Sequence, residues 1–121
     1  MSDLENPNLI SHYDPTPLLT SLGIDPLSVN FEVSFVTPAE IHALNREWRG
    51  KDKPTDVLSF PTIDLNPGQI PTRALFPLDF NPETNKIELG DIVVNEMEPR
   101  ETWPFLIEHG LLHLLGHHHP E

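Results

Sequence analysis

The chain has 121 residues, with 19 acidic against 7 basic side chains and a formal net charge of −12. This length predicts a single domain over residues 1–121. The lack of cysteine excludes disulfides and thiolate metal sites, and the acidity argues against a general nucleic-acid-binding surface. With no run of 18 apolar residues and no recognisable signal peptide, we expect a cytoplasmic protein that has no membrane partner.

The first elements in chain order are a short helix and a strand. Residues 1–14 have an irregular pattern, and a helix over 17–22 is predicted to end at Gly23. The stretch FEVSFV, 31–36, alternates apolar and polar residues and is rich in aromatic and β-branched side chains. This period of two predicts a strand.

The segment 38–49 carries the clearest helix signal. Thr37 and Glu40 form the T-x-x-E pattern of a capping box, with a proline at the first helical position. Apolar residues then recur at helical spacing up to Trp48, and Gly50 is a natural stop. We therefore predict a helix over 38–49, with Arg49 at its C-terminal end.

The second half of the chain predicts two more strands and a final helix. A short strand over 57–60 leads into a proline-rich loop over 61–82, and a second strand covers 86–94 with a possible bulge at Gly90. The last helix is expected over 102–115. Strands and helices thus interleave, which predicts an α/β (α+β) fold with a small mixed sheet and helices packed on it.

Three histidines near the end of the sequence have the spacing of metal ligands. His109 and His113 are i and i+4, so their side chains lie about 40° apart on one helical face. Gly116 ends the helix, and His119 completes H-x3-H-x5-H. We predict one Zn²⁺ per chain on this zincin-like helix, with an open coordination position of the catalytic kind.

Other interpretations of the histidines stay open at this point. A lone buried histidine is usually a hydrogen-bonded core residue, but the set of three favours metal. His117 and His118 could be solvated, could support a ligand, or could replace one. His12 and His42 are interpreted as surface or loop residues.

Apolar residues cover most of the circumference of the last helix, so it is expected to be buried. Its apolar residues are Phe105, Ile107, Leu111, Leu112, Leu114 and Leu115. Gly110 is costly in a helix interior, which suggests that another backbone or a substrate approaches closely there.

The histidine spacing is that of the metzincin proteases, H-E-x-x-H-x-x-G-x-x-H. Gly110 replaces the glutamate that serves as general base, and Glu108 points about 100° away from His109. Only two residues follow His119 in this sequence, so we expect no methionine turn. The pattern predicts a zinc scaffold that lacks the proteolytic base.

A phosphodiester substrate would need a metal and a cation that stabilises developing negative charge. Four of the seven basic residues cluster in REWRGKDK, 46–53, and Arg49 is the best candidate for that cation. An equally good interpretation is that Arg49 only stabilises the end of its helix.

Three blocks of sequence resemble the YbeY family of rRNA maturation endoribonucleases. LNREWRGKDKPTDVLSFP, 44–61, is similar to the family's L-N-x-x-Y/W-R-x-x-D-x-P-T-D-V-L-S-F-P, and LGDIVV, 89–94, to its L-G-D-I-x-I. HGLLHLLGHHH, 109–119, resembles H-G-x-L-H-L-x-G-Y-D-H, with two histidines in place of the Tyr-Asp pair. The blocks occur in the family's order.

The resemblance implies a zinc-dependent, single-strand-specific endoribonuclease with His109, His113 and His119 as ligands. It implies maturation of the 3′ end of 16S rRNA and late-stage 70S ribosome quality control, with ribosomal subunits as partners and no DNA. It also favours a phosphate or RNA role for Arg49. The family-matching polar residues Asp52, Thr55, Ser59 and Asp91 could line a cleft, support a ligand, or only stabilise turns and strand ends.

Two alternatives to the endoribonuclease are kept. One is a non-catalytic, zinc-bearing ribosome assembly factor, which the acidic charge and the altered Tyr-Asp positions favour. The other is a small metalloprotease, which the missing glutamate disfavours.

Overall fold

A computed structural model describes residues 13–117 of the chain, so the predictions made for His12, His118 and His119 lie outside the described residues. Three α-helices and three strands follow one another along this part of the chain. They are α1 (Thr16–Ser21), β1 (Val29–Val36), α2 (Pro38–Arg49), β2 (Val57–Pro61), β3 (Ile87–Asn95) and α3 (Trp103–Leu114). The predicted α+β class is confirmed, and each predicted helix and strand is found with small shifts at its ends.

The strands of residues 13–117 form one mixed sheet in the order β1-β3-β2, so β2 lies at its edge. β1 runs parallel to β3, and β2 runs antiparallel to it. The register between β1 and β3 slips next to Gly90, whose φ is +140°. A Cβ atom on Gly90 would lie 2.3 Å from the carbonyl oxygen of Phe60. The predicted bulge is therefore real, and only glycine fits it.

Helices cover both faces of the sheet because side chains alternate along each strand. On one face, Ile41 of α2 packs with Leu58 and Val93. On the other, Ile92 and its alternating neighbours form the main core with α1 and α3. Among the described residues, no helix is long and apolar enough to cross a membrane.

The start of α2 follows its sequence signal closely. The Thr37 side chain accepts a hydrogen bond from the Glu40 backbone N–H, and the Glu40 carboxylate accepts one from the Thr37 N–H. Gly50 ends the helix in the left-handed region, with a φ of +70°. Of the residues that recur at helical spacing along α2, Trp48 is exposed, at 65%. Trp48 belongs to the final turn of α2, in which all residues over 46–49 are exposed.

The prediction that the apolar residues of α3 are buried is wrong for Phe105, which is 71% exposed. The sheet covers one side of α3, and the buried residues form a single stripe. They are Trp103, Leu106, Ile107, Gly110, Leu111 and Leu114. Phe105 points away from this stripe because it lies about 200° around the helix from Ile107.

Candidate active site

A cleft of about 500 Å³ lies where the end of α2, the edge strand β2 and α3 meet. The cleft is lined by Trp48, Arg49, Thr55, Asp56, the β2 residues 57–61, His109, Gly110 and His113. This volume is within the range of small-molecule and cofactor sites. The cleft therefore has one wall from α3, a floor along β2 and a second wall from the end of α2.

Two of the three predicted metal ligands lie side by side on the α3 wall. The ring centroids of His109 and His113 are 4.7 Å apart, and the ring planes are inclined by 53°. The Nε2 atom of His113 is buried. Two neighbouring imidazoles are the donor type that zinc prefers, so this wall fits the predicted metal.

The third predicted ligand, His119, lies outside the described residues, and its position is not tested. Within residues 13–117, no three histidine, aspartate or glutamate side chains come together as a metal site. The fit to zinc therefore depends on the pair His109 and His113.

The helix ends immediately after this pair, as predicted from Gly116. The Gly116 N–H donates to the His113 carbonyl (3.0 Å) and the His117 N–H to the Leu112 carbonyl (2.9 Å). With a φ of +92° at Gly116, these bonds form a Schellman motif. A Cβ atom there would lie 2.3 Å from the carbonyl oxygen of Leu65, so a larger residue would displace the loop that follows β2.

Gly110 allows α3 to lie close to the sheet. A Cβ atom at Gly110 would lie 2.7 Å from Cγ2 of Ile92 on β3. The close approach predicted at this glycine is therefore made by a core side chain and not by another backbone. Gly110 lies between His109 and His113 in the sequence and, like them, lines the cleft.

Glu108, the residue before the first histidine, makes a contact outside the cleft. The Tyr13 hydroxyl donates a hydrogen bond of 2.9 Å to Oε1 of Glu108. Burial raises the pKa of the Tyr13 phenol above its ordinary value, and the Glu108 carboxylate raises it further. The Glu108 side chain thus points away from the cleft, as predicted. Its hydrogen bond to Tyr13 argues against a role as the general base of a protease.

Arg49 lines the cleft from the α2 wall. Its neighbour in the basic run, Arg46, lies 3.9 Å from the carboxylate of Asp52, and Nε2 of His42 lies 2.8 Å from the same carboxylate. Of the four basic residues in the run, the cleft lining includes only Arg49. The structure therefore separates Arg49 from the other cations.

Two buried asparagines hold the loop that follows α2. The Asn45 side chain donates 2.8 Å to the Lys53 carbonyl, and the Asn95 side chain donates 3.2 Å to the Thr55 carbonyl. The Asn95 backbone N–H also donates to the Asp56 carbonyl. The exposed fractions of Asn45 and Asn95 are 1% and 6%. Sequence reasoning missed both roles, although an amide within an apolar stripe is a usable signal.

The polar residues that match the family's sequence blocks differ in their positions. Thr55 and Ser59 line the cleft, whereas Asp52 is exposed and contacts His42 and Arg46. Asp91 is exposed on β3. The cleft also includes residues that the sequence did not single out as functional, namely Trp48, Asp56 and Phe60.

Two adjacent imidazoles on α3 and an arginine from α2 thus line one cleft. A family model described as "Endoribonuclease YbeY" matches residues 18–121. The chain therefore belongs to the YbeY family.

Several relatives named endoribonuclease YbeY are similar to the chain. The protein of Azorhizobium caulinodans is 36% identical over 104 residues, which cover 85% of this chain and 63% of the relative. That of Agathobacter rectalis is 36% identical over 110 residues (79% and 66%), and that of an Exiguobacterium species is 41% identical over 98 residues (72% and 58%). The chain thus spans only part of the length of the relatives it matches.

Proposed function

We propose that this protein is a cytoplasmic, zinc-dependent endoribonuclease that hydrolyses phosphodiester bonds in single-stranded RNA. Its proposed task is rRNA processing, with maturation of the 3′ end of 16S rRNA and late-stage 70S ribosome quality control, in contact with ribosomal subunits. The observation that carries the proposal is that His109, His113 and Arg49 line one cleft. Membership of the YbeY family supports it.

The residues of α3 would hold the metal in this proposal. His109 and His113 supply two imidazole nitrogens, and His119 is proposed as the third ligand. Zinc supplies a Lewis acid that acidifies water and offsets negative charge on the phosphate.

The opposite wall holds the RNA backbone. The Arg49 guanidinium can donate two parallel hydrogen bonds to phosphate oxygens, and its charge stabilises the extra negative charge that develops during hydrolysis. The hydroxyls of Thr55 and Ser59 line the same cleft and can donate to the phosphate or the ribose. Arg49 thus acts on the reacting phosphate, while Thr55 and Ser59 orient the strand.

The charge of the molecule limits how RNA is bound. With a formal net charge of −12, most of the surface repels a polyanion, and the basic run 46–53 is the favourable region. We therefore expect weak binding to RNA that lies outside the ribosome. We also expect a steep loss of binding as salt is raised.

The test compares two histidine variants of the full chain. His113→Ala should lose zinc and at least 100-fold of the cleavage rate on a single-stranded RNA, because a metal ligand is removed. His42→Ala is the matched control, since His42 contacts Asp52 on the outer side of α2, and it should keep both. Zinc content by mass spectrometry and cleavage by gel electrophoresis are measured on the same preparations.

The outcomes separate the candidate functions. Cleavage retained in metal-free His113→Ala would refute the metal mechanism. Stoichiometric zinc without turnover, together with co-sedimentation with ribosomal subunits, would instead favour the non-catalytic assembly factor.

A further inference from the structure

The exposed ring of Trp48 has no role in the chemistry proposed above. Its side chain is 65% exposed although it lines the cleft beside Arg49. Leaving an indole in water forgoes the free energy that burial of its apolar surface would release. A large aromatic ring left open within a cleft that also holds an arginine and two histidines is a candidate ligand-binding residue.

A neighbouring aromatic residue fixes the position of this ring. The centroids of Trp48 and Phe60 are 6.2 Å apart, and their planes are inclined by 75°, which is an edge-to-face contact. Phe60 is itself partly buried against the small core of Ile41, Leu58 and Val93. The indole is therefore supported before any ligand arrives, and this lowers the entropy lost on binding.

The charges around Trp48 indicate what kind of ligand would cover it. Arg49 is the next residue, and Arg46, Lys51 and Lys53 lie within the same run. An aromatic platform beside the Arg49 side chain in the same cleft matches a polymer that alternates flat rings with phosphates. Phe105 is similarly exposed, at 71%, but it lies on α3 without such a run and is not part of the cleft lining.

We propose that Trp48 stacks on an unpaired nucleobase of the RNA strand whose phosphate is held at Arg49. Both faces of a base in a duplex are already stacked on neighbouring bases, so only an unpaired base can use this platform. Trp48 is thereby a specificity-determining residue that favours single strands over duplexes. This inference rests on the proposed function for the identity of the polymer as RNA.

The experiment uses intrinsic fluorescence and a probe that resists cleavage. The chain has two tryptophans, and Trp103 is only 3% exposed, so Trp48 is the accessible reporter. A single-stranded 2′-O-methyl oligoribonucleotide of mixed sequence should quench the emission of the zinc-loaded protein, whereas the same strand annealed to its full complement, at a length that forms a stable duplex, should not. Trp48→Ala should abolish this quenching and weaken binding about 5-fold to 100-fold by anisotropy of a labelled probe.

Two further variants keep the test specific. Trp48→Tyr retains an aromatic ring and should bind within about threefold of the wild type, since stacking depends on the ring face. Phe105→Ala removes an exposed aromatic side chain outside the cleft and should bind as the wild type does. Zinc content and circular dichroism of each variant establish that it is folded.

The outcomes distinguish this inference from the proposed function. A wild type that cleaves RNA while Trp48→Ala binds the probe equally well would overturn the role of Trp48 and leave the enzyme intact. Equal losses in Trp48→Ala and Phe105→Ala would overturn it too. Trp48-dependent quenching in a protein that never cleaves RNA would support the platform and refute the nuclease.

Discussion

The two walls of the cleft are built in different ways. The α3 wall belongs to a helix whose buried stripe includes Gly110 and Leu111, so packing against the sheet fixes the imidazoles of His109 and His113. The α2 wall is exposed, and buried amides of Asn45 and Asn95 hold the loop beside it through backbone carbonyls. Metal binding and RNA binding therefore depend on separate supports, and a substitution in one support should leave the other activity intact.

The largest effect that separates the walls is expected at Arg49. Arg49→Glu should reduce kcat/KM for single-stranded RNA at least 100-fold, roughly the cost of removing one charge-stabilising donor, while zinc content stays unchanged. Arg46→Glu is the matched control on the same helix, since Arg46 contacts Asp52 and not the cleft. The cleavage rate of the Arg46→Glu variant should fall by less than about tenfold, because this change only weakens the positive electrostatic potential near the cleft. Equal losses in the two variants would mean that Arg49 acts only as one charge among several.

The support of the α2 wall can be removed without touching its charged groups. Asn45→Leu leaves the Lys53 carbonyl without its side-chain donor, so the free energy of unfolding should fall by about 0.5–1.5 kcal/mol. Denaturant titration measures this change. The exposed amide of Asn30, which donates to Glu88, provides the control, and Asn30→Ala should stay within about 0.5 kcal/mol. An Asn45→Leu protein as stable as the wild type would mean that the loop is held by other contacts.

The support of the α3 wall can be tested at Gly110. Gly110→Ala improves helix propensity by about 1 kcal/mol, but the new Cβ would lie 2.7 Å from Ile92. Overpacking costs about 1–3 kcal/mol, so we expect a net loss of roughly 1 kcal/mol in unfolding free energy. Removing the opposing atoms with Ile92→Ala should relieve the clash, so the double-mutant cycle should show a coupling of at least about 0.5 kcal/mol. Additive effects would contradict the steric account.

The smallest expected effect is on the pKa of Tyr13, whose hydroxyl donates a hydrogen bond to Glu108. Tyr13 is the chain's single tyrosine, so phenolate absorbance near 295 nm reports it alone. Because burial and Glu108 raise its pKa, the native protein should titrate above the ordinary value of about 10. Glu108→Gln should lower the native pKa, and a value unaffected by this change would show that burial alone raises it.

The same raised pKa has a consequence for stability. The unfolded chain ionises Tyr13 near its ordinary pKa of about 10, while the folded chain keeps the proton to higher pH. The contribution of this group is therefore complete below pH 10 and is lost progressively as the pH rises above that value.

The sequence predicted the features that depend on local chemistry. The capping box at Thr37, the bulge at Gly90 and the helix end at Gly116 were all confirmed, because each needs only a few neighbouring residues. The helical spacing of His109 and His113 likewise predicted that their rings lie together.

Features that depend on the packing of distant segments were missed. Nothing local in the sequence reveals that Ile92 fills the space at Gly110 or that Asn95 holds the Thr55 carbonyl. The exposure of Trp48 was also missed, because helical spacing cannot show where the covering sheet ends. The assignments of His109, His113 and Arg49 to zinc and RNA stay predictions.

The most direct test of the central claim measures metal content and RNA cleavage on one preparation of the untagged wild-type protein. We predict about one zinc per chain and cleavage of single-stranded RNA that stops when a chelator removes the metal. Cleavage should recover when zinc is added back. Cleavage that continues at the same rate in the metal-free protein would contradict it.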